Sequence, residues 1–370
     1  MYTIIAKVTG GCNLRCRYCY MSEESERGRM NEETLYNMLT KVAKENAKEG
    51  ITDVIWHGGE PLLMGVDFYK KAVEIQKTIL NHRFINSVQS NGTLLNESYL
   101  DFFEKNNFKV SLSLDGIQMT HDKNRPYKNG GSSFKDTLFW LGELKKRKIN
   151  EGRVICVLNK VTASQIVQIY EYAKKERISF KFNPQFPAGE ALINSDLGLT
   201  PEELAEIYIE LFDMWFFDDA EYLPQIEPFD EIIENLGLFK NRENQKIIPF
   251  GCNWRNNCAY NFIAVSPNGS VYPCGRFIGE KDYLYGNINN EDLFVILKNT
   301  ARENFINRNK GLDDCSCCEY NKICNAGCPY HSYSRHKDIM IKDPYCYTYK
   351  KLFKHIENIV NNEFEEFENE

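Results

Sequence analysis

Hydrophobic positions in the first half of the chain fall into short strand-sized runs separated by longer stretches of helical period. Residues 3–8 alternate weakly and read as a first strand. Asn31 then opens a helix, with Glu32 and Glu33 in its first turn, Leu35, Met38, Leu39 and Val42 on one face, and Gly50 as a stop. The pattern repeats: strand 53–56, helix 68–80, strand 85–89, helix 97–105, strand 109–114, with further strands at 154–158 and 179–182. Strands alternating with helices predict a parallel sheet, and about six units suit a curved, incomplete barrel better than a doubly wound sheet. Periodicity alone does not choose between the two. Beyond Asn183 the alternation stops. Thr200-Pro-Glu-Glu203 is a capping box with proline at the first helical position, predicting a helix to about Phe217, and Tyr208, Leu211, Phe212 and Trp215 are its core side. Asp218-Asp219 and Pro224 break the chain there. Residues 261–265 and 271–273, joined by Ser-Pro-Asn-Gly, predict a hairpin, and the acidic run 363–370 a solvated helical tail.

Composition narrows the class of function. In 370 residues, 45 Lys and Arg face 52 acids for a net charge of −7, which gives no electrostatic basis for nucleic-acid binding. The opening Met1-Tyr-Thr-Ile-Ile-Ala-Lys is too short an apolar run for a signal peptide, and no stretch has the length to span a bilayer. A soluble cytoplasmic protein is expected, with a peptide or small molecule as substrate. Thirteen cysteines in so long a chain without export signals read as metal ligands rather than disulfides, which implies a reducing, anaerobic compartment.

Three of those cysteines lie in Cys12-Asn-Leu-Arg-Cys16-Arg-Tyr18-Cys19. A loop this short wraps three irons of one cubane and leaves the fourth open as a substrate site. A zinc knuckle is the alternative, but it requires a fourth ligand, and no further Cys or His lies nearby. The spacing, with Tyr18 before the last cysteine, resembles the signature of the radical S-adenosylmethionine (radical SAM) enzymes. That resemblance implies a partial (β/α)6 barrel with its site at the carboxyl ends of the strands. It also implies an open iron that chelates SAM, and a reduced cluster that cleaves SAM to a 5′-deoxyadenosyl radical. After the second strand, His57-Gly58-Gly59-Glu60-Pro61 resembles the family's GGE motif, which holds the SAM amino group; standing alone it is only a Gly-Gly turn with a carboxylate. Glycines let backbone approach a ligand closely, and a carboxylate can pair with an ammonium. Ser90-Asn91-Gly92 and Ser113-Leu-Asp115-Gly116 end the third and fourth strands in polar turns. The resemblance assigns Ser113 and Arg125 to the SAM carboxylate, and Tyr18 joins the cofactor-binding group.

Nine more cysteines follow Gly251, at 252, 258, 274, 315, 317, 318, 324, 328 and 346. A zinc ribbon uses four, whereas two cubanes use eight. The arrangement resembles the SPASM domain, a two-cluster module at the carboxyl end of many peptide-modifying radical SAM enzymes. By that resemblance one auxiliary cluster takes Cys252, Cys258, Cys274 and Cys328, and the other Cys315, Cys318, Cys324 and Cys346. Three 4Fe-4S clusters result. Cys156, in the apolar run Val-Ile-Cys-Val-Leu, reads as a core residue, and Cys317 stands as an alternative ligand to Cys318. The expected division is a barrel over 1–185, a helical connection over 186–250, the auxiliary domain over 251–350 and the tail over 351–370.

The substrate is harder to read. Anaerobic sulfatase-maturating enzymes are similar in length and auxiliary spacing, and they oxidise a Cys or Ser to formylglycine. That branch has an aspartate, proposed as base, where this chain has Gly275, and a glutamine where it has His57. His57 is a candidate general base or a hydrogen-bonded neighbour. Tyr272-Pro-Cys274-Gly-Arg276-Phe-Ile-Gly279 looks more like maturases of ribosomally made peptides. The leading expectation is therefore a radical oxidoreductase making a net two-electron oxidation, such as a thioether or carbon-carbon crosslink in a peptide. Sulfatase maturation is the alternative, and a non-catalytic metal-binding regulator the alternative of another class. Expected partners are a peptide or protein substrate, an electron donor such as flavodoxin or ferredoxin, and a separate leader-binding protein, since only eleven residues precede Cys12.

Overall fold

Each barrel strand presents an apolar face to surrounding helices and a mixed face to the interior of the curved sheet. The computed structural model describes residues 2–21, 28–237, 252, 254 and 258–369. In β1 (Tyr2–Thr9), Ile4, Ala6 and Val8 are fully buried in the core shared with Leu35, Met38 and Leu39 of the helix Glu32–Glu45. Thr3, Ile5, Lys7 and Thr9 therefore alternate onto the opposite face. In β2 (Ile51–Gly58), Val54 and Trp56 are buried, and Trp56 meets Phe68 and Tyr69 of the helix Val66–Thr78 edge-on, at 5.9 and 5.8 Å between ring centroids. Lys7 and His57 pair in register on the interior face.

β3 (Arg83–Ser90), β4 (Lys109–Ser113), β5 (Arg153–Leu158), β6 (Ser179–Pro184) and the two-residue β7 (Ile226–Glu227) continue the parallel sheet. The six expected strands are all present, and their sequential order, with β1 and β6 not paired to each other among the described residues, identifies an open barrel and excludes a doubly wound sheet. Three helices without a named sequence signal, Gln118–Asn124, Phe134–Lys146 and Ile166–Glu176, complete the later units. Cys156 is fully buried in β5, as a small core residue should be.

The predicted hairpin forms as β8 (Phe262–Val265) and β9 (Ser270–Tyr272), followed by β10 (Gly286–Asn287). It also does something its sequence does not reveal. β8 pairs in parallel with β1, from Thr3 opposite Phe262 to Ala6 opposite Val265, so one sheet runs β10-β9-β8-β1-β2-β3-β4-β5-β6-β7 through both cysteine regions. The helix Pro201–Phe216 carries the expected capping box, Thr200 N–H donating to Glu203 Oε2 at 2.8 Å and Glu203 N–H to Thr200 Oγ1 at 3.1 Å. Trp215 is only partly buried, its Nε1 donating to Pro224 O at 2.9 Å. The terminal helix Cys346–Asn369 packs against it, with His355 Nε2 2.6 Å from Asp213 Oδ1. The connection 238–250 and the side chains of the acidic run from 364 onward lie outside the described residues.

The Gly-Gly pair at the end of β2 serves a backbone contact. Gly59 N–H donates to Thr9 O and Glu60 N–H to Gly11 O, each at 2.8 Å, strapping the start of the cysteine loop to β2. A Cβ on Gly59 would lie 2.2 Å from Gly11 O and 2.7 Å from Gly10 O, and one on Gly58, at φ +147°, 2.3 Å from Thr9 O. No side chain fits between two backbones so close. Gly59→Ala should displace the loop at a cost of roughly 2–4 kcal/mol, and iron analysis of reconstituted protein should find the amino-terminal cluster lost with the other iron retained; full iron content would show the strap to be dispensable.

Candidate functional site: three thiol clusters around the open barrel

The cysteine loop is tied down from both sides. Arg15 N–H donates to Pro126 O and Arg17 N–H to Asn124 O, each at 2.9 Å, and Leu14 bridges Tyr127. Asn91 Nδ2 donates to Asn13 Oδ1 at 2.9 Å, and Asn13 Nδ2 to Thr93 Oγ1 at 2.8 Å, which places the Ser90-Asn91-Gly92 turn beside the loop. Leu14 N–H and Asn91 Nδ2 point at Cys12 Sγ, at 3.4 and 3.8 Å. The three thiols lie close enough together that a Cys19 thiolate raises Cys12, and Cys12 and Cys19 both raise Cys16. Burial pushes Cys12 up and Cys16 to about 12, so uptake of a cation must displace protons. Among the described residues no three His, Cys, Asp or Glu converge as for a single ion. Three clustered thiols without a fourth ligand fit a cubane with one open iron.

Beside them lies a buried polar cluster. Tyr18 OH donates to Asp115 Oδ2 at 2.7 Å and accepts from Arg125 Nη1 at 2.6 Å, while Asp115 Oδ1 accepts from Val157 N–H at 3.1 Å. Asp115 is fully buried, which raises its carboxyl against the pull of Arg125 and the Tyr18 and Val157 bonds. Burial opposes the Arg125 charge, but Cys16, Tyr18 and Asp115 outweigh it and hold the guanidinium well above its usual value. Arg125 Nε is buried without a hydrogen-bond partner. That orphaned donor fits a carboxylate, as SAM carries. Ser113 Oγ accepts from Gln89 Nε2 at 3.0 Å, which leaves its hydroxyl proton to donate.

Glu60 is arranged differently from the sequence expectation. Its carboxylate is fully buried, Oε1 accepting from Leu62 N–H at 3.0 Å and Ser90 Oγ at 2.8 Å, and Oε2 from Asn91 N–H at 2.8 Å. It braces the end of β2 against the end of β3, and Oε2 keeps one acceptor position for an ammonium. His57 Nδ1 lies 2.7 Å from Gly58 N, from which it accepts in one tautomer, and 3.2 Å from Gly58 O, to which it donates in the other. Burial, with Lys7 and Arg276 adding, lowers His57 to about 4. Lys7 Nζ lies 4.5 Å from the Tyr20 ring centroid, and the Arg276 guanidinium 4.8 Å from that of Phe186.

The remaining ligand candidates gather in two groups. Cys252, Cys258, Cys274 and Cys328 act on one another electrostatically, and burial, reinforced by these neighbours, pushes Cys328 to about 12. Cys315, Cys318, Cys324 and Cys346 all line one cavity, with Tyr320, Tyr349 and Phe353 as its apolar wall. Cys317 is exposed and outside that lining. Along the chain the two groups interleave, because Cys328 of the first falls between Cys324 and Cys346 of the second. Gln89, His331 and Asp343 carried no signal in the sequence, and Asp115 was visible only as part of a turn.

Comparison with known proteins agrees with this geometry. Residues 6–173 match the radical SAM superfamily and residues 252–319 the SPASM iron-sulfur cluster-binding domain. A cysteine-type anaerobic sulfatase-maturating enzyme of Clostridium perfringens (strain 13 / Type A) is 30% identical over 97% of this chain and 98% of its own. A serine-type enzyme of Bacteroides thetaiotaomicron is 28% identical over 96% and 89%. The solved structure of native anSMEcpe with bound AdoMet and Kp18Cys peptide superposes with a TM-score of 0.82 at 28% identity, covering 97% of this chain and 99% of that one. With a full-length relative at this identity and both domain families matched in order, the chain belongs to the SPASM-bearing radical SAM enzymes, in the family of the anaerobic sulfatase-maturating enzymes.

Proposed function

We propose that this enzyme oxidises a cysteine or serine side chain of a peptide or protein by two electrons, in the manner of sulfatase maturation, using SAM and three 4Fe-4S clusters. Relatives of both cysteine and serine type along nearly the whole chain favour this reading over the peptide crosslink, which rested on the Tyr272–Gly279 stretch. The observation that carries it is the gathering of eleven thiols into one group of three and two of four. The first group with SAM would supply the hydrogen-abstracting radical; Cys252, Cys258, Cys274 and Cys328 would hold one auxiliary cluster, and Cys315, Cys318, Cys324 and Cys346 the other. Tyr18, Ser113, Arg125 and Glu60, with Gly58 and Gly59 shaping the turn, would hold SAM. A ferredoxin- or flavodoxin-type donor would deliver the priming electron.

Atoms balance as follows. Loss of two hydrogens from serine gives the aldehyde directly; from cysteine it gives a thioaldehyde, which water converts to aldehyde and hydrogen sulfide. Gly275 offers no proton acceptor. Its Cβ would lie 3.0 Å from Ile5 Cγ2 and 3.3 Å from Lys7 Cε, so the neighbours leave little room for a longer side chain. His57, lowered to about 4, suits a neutral hydrogen-bond partner of the substrate better than a base.

Anaerobically reconstituted protein should hold about twelve irons, falling to about eight when Cys12, Cys16 and Cys19 are all replaced by Ala. SAM cleavage surviving that change would defeat the assignment of the open cluster. Incubation with SAM, reductant and Cys- or Ser-containing sulfatase peptides should yield an aldehyde trapped by hydrazine, read by mass spectrometry. An unchanged mass, or a product two hydrogens lighter without an aldehyde, would reject the proposal.

The depressed His57 titration has a stability consequence. Its folded value lies below the unfolded one, so its contribution is present above about pH 6.5 and is lost as pH falls toward about 4. His57→Gln should flatten that part of the stability-pH curve, measured by anaerobic denaturant titration; parallel curves for the two proteins would contradict a neutral buried ring.

A further inference from the structure

A half-buried cation, Arg276, stands against one auxiliary thiol group and not the other. Arg276 follows Cys274 by two residues, and its Nη1 lies 3.7 Å from Cys328 Sγ and 3.2 Å from His331 Nε2. Guanidinium has no acceptor, so Nε2 must accept from Nη1–H, and the His331 proton sits on Nδ1. That places Nδ1–H correctly to donate to Asp343 Oδ2, 3.0 Å away. The same Oδ2 accepts Cys328 N–H at 2.7 Å, and Asp343 Oδ1 accepts Tyr345 N–H at 2.9 Å. His331 and Asp343 side chains are each 1% exposed. Arg276, His331 and Asp343 thus form one satisfied chain whose two ends both reach Cys328.

The guanidinium is caged as well as paired. Phe186 covers one face, and Phe186 in turn meets Tyr330 edge-on at 5.4 Å between centroids and His331 at 5.7 Å. Gly275 lies flat against Ile5 and Lys7 of β1, which fixes the direction in which Arg276 leaves the strand. Its charge reaches Cys274 and Cys328 on one side and His57 and Tyr20 on the other, so it lies between the barrel interior and the first auxiliary group. The second group has a different setting. Lys342 and Lys350 beside it are exposed and screened by solvent, and the buried Arg308 is shared by both groups, near Cys258 and Cys315.

We infer that Arg276, held by His331, Asp343 and Phe186, sets the reduction potential of the auxiliary cluster at Cys252, Cys258, Cys274 and Cys328, making it the acceptor for the electron leaving the substrate. A cation and an N–H donor at a ligand sulfur favour the reduced, more negative cluster, and the cover of Phe186 and His331 weakens screening of that effect. One electron and one proton leave the substrate radical: the electron reduces the oxidised cluster, and the hydroxyl or thiol proton passes to water as the C=O or C=S bond forms. Arg276 is a positioning residue here, acting through the cluster rather than on the substrate. The inference rests on the proposed ligand sets.

The test is an EPR-monitored redox titration of the full chain in the Cys12, Cys16 and Cys19→Ala background, where only auxiliary signals remain. Fewer than two auxiliary signals before any change at Arg276 would reject the ligand sets themselves. With two signals present, Arg276→Gln should move one to more negative potential and leave the other in place, and Arg276→Lys should restore part of the shift. If Arg276→Gln loses iron, Phe186→Leu, which keeps every ligand and the guanidinium but removes its stacking face, should shift the same signal in the same direction by less. Unmoved potentials with both clusters present, in Arg276→Gln or failing that in Phe186→Leu, would overturn the inference.

Discussion

Two backbone hydrogen bonds, Gly59 N–H to Thr9 O and Glu60 N–H to Gly11 O, hold the cysteine loop at the mouth of the barrel, and the rest of the site is built outward from them. They require bare backbone at Gly58 and Gly59 because the passing strand leaves no volume for a Cβ. They also fix where Glu60 must go. With its amide committed to Gly11 O, its carboxylate turns inward to Leu62, Ser90 and Asn91, and Asn91 reaches on to Asn13 and Cys12. A chain of contacts thus runs from the end of β2 through the end of β3 back to the first thiol, so the Gly-Gly-Glu turn and the cysteine loop are one connected unit. Such preorganisation matters where an unquenched radical must meet one C–H bond.

The auxiliary region is joined to that unit by the same means, backbone pairing. Because β8 lies in parallel register with β1, the turn that carries Cys274, Gly275 and Arg276 is delivered over Ile5 and Lys7, on the interior face of the barrel. A hairpin alone would be marginal; docked on β1 it shares the barrel's core, and Ile263 and Val265 are fully buried there. The thiols add their own constraint. Because the first group draws on both Cys274 and Cys328 while the second spans Cys315 to Cys346, closing either group brings together segments that the other also holds. Metal binding and folding of this region are then a single process.

How much of this was legible depended on the range of the interaction. The six barrel strands and the capping box at Thr200 were readable because periodicity and capping are local. The division of the cysteines into groups came from the family resemblance, which spacing alone carries only as a motif. The β1–β8 pairing was not, since nothing in four residues of apolar strand names a partner about 260 positions away. The same holds for Gln89 on Ser113 and for Arg276 on His331, where each residue has an ordinary surface reading until its neighbour is known. The glycines illustrate a subtler miss: their need for close approach was correct, but the approaching group is the protein's own backbone at Thr9–Gly11.

Gly275 and Arg276 bear together on how this chain differs within its family. A side chain at 275 would press on Ile5 and Lys7, whereas glycine lets the turn lie on β1 and send Arg276 toward Cys328. Losing a proton acceptor at one position and fixing a cation at the next are therefore linked in geometry. On the proposal above, a cluster poised to accept an electron would favour departure of the substrate proton by lowering the energy of the oxidised product, and the cation would act on that cluster. Under that proposal the oxidising cluster would supply part of the driving force that a base at 275 would otherwise give, and the lowered His57 beside Lys7 agrees with an interior rich in positive charge.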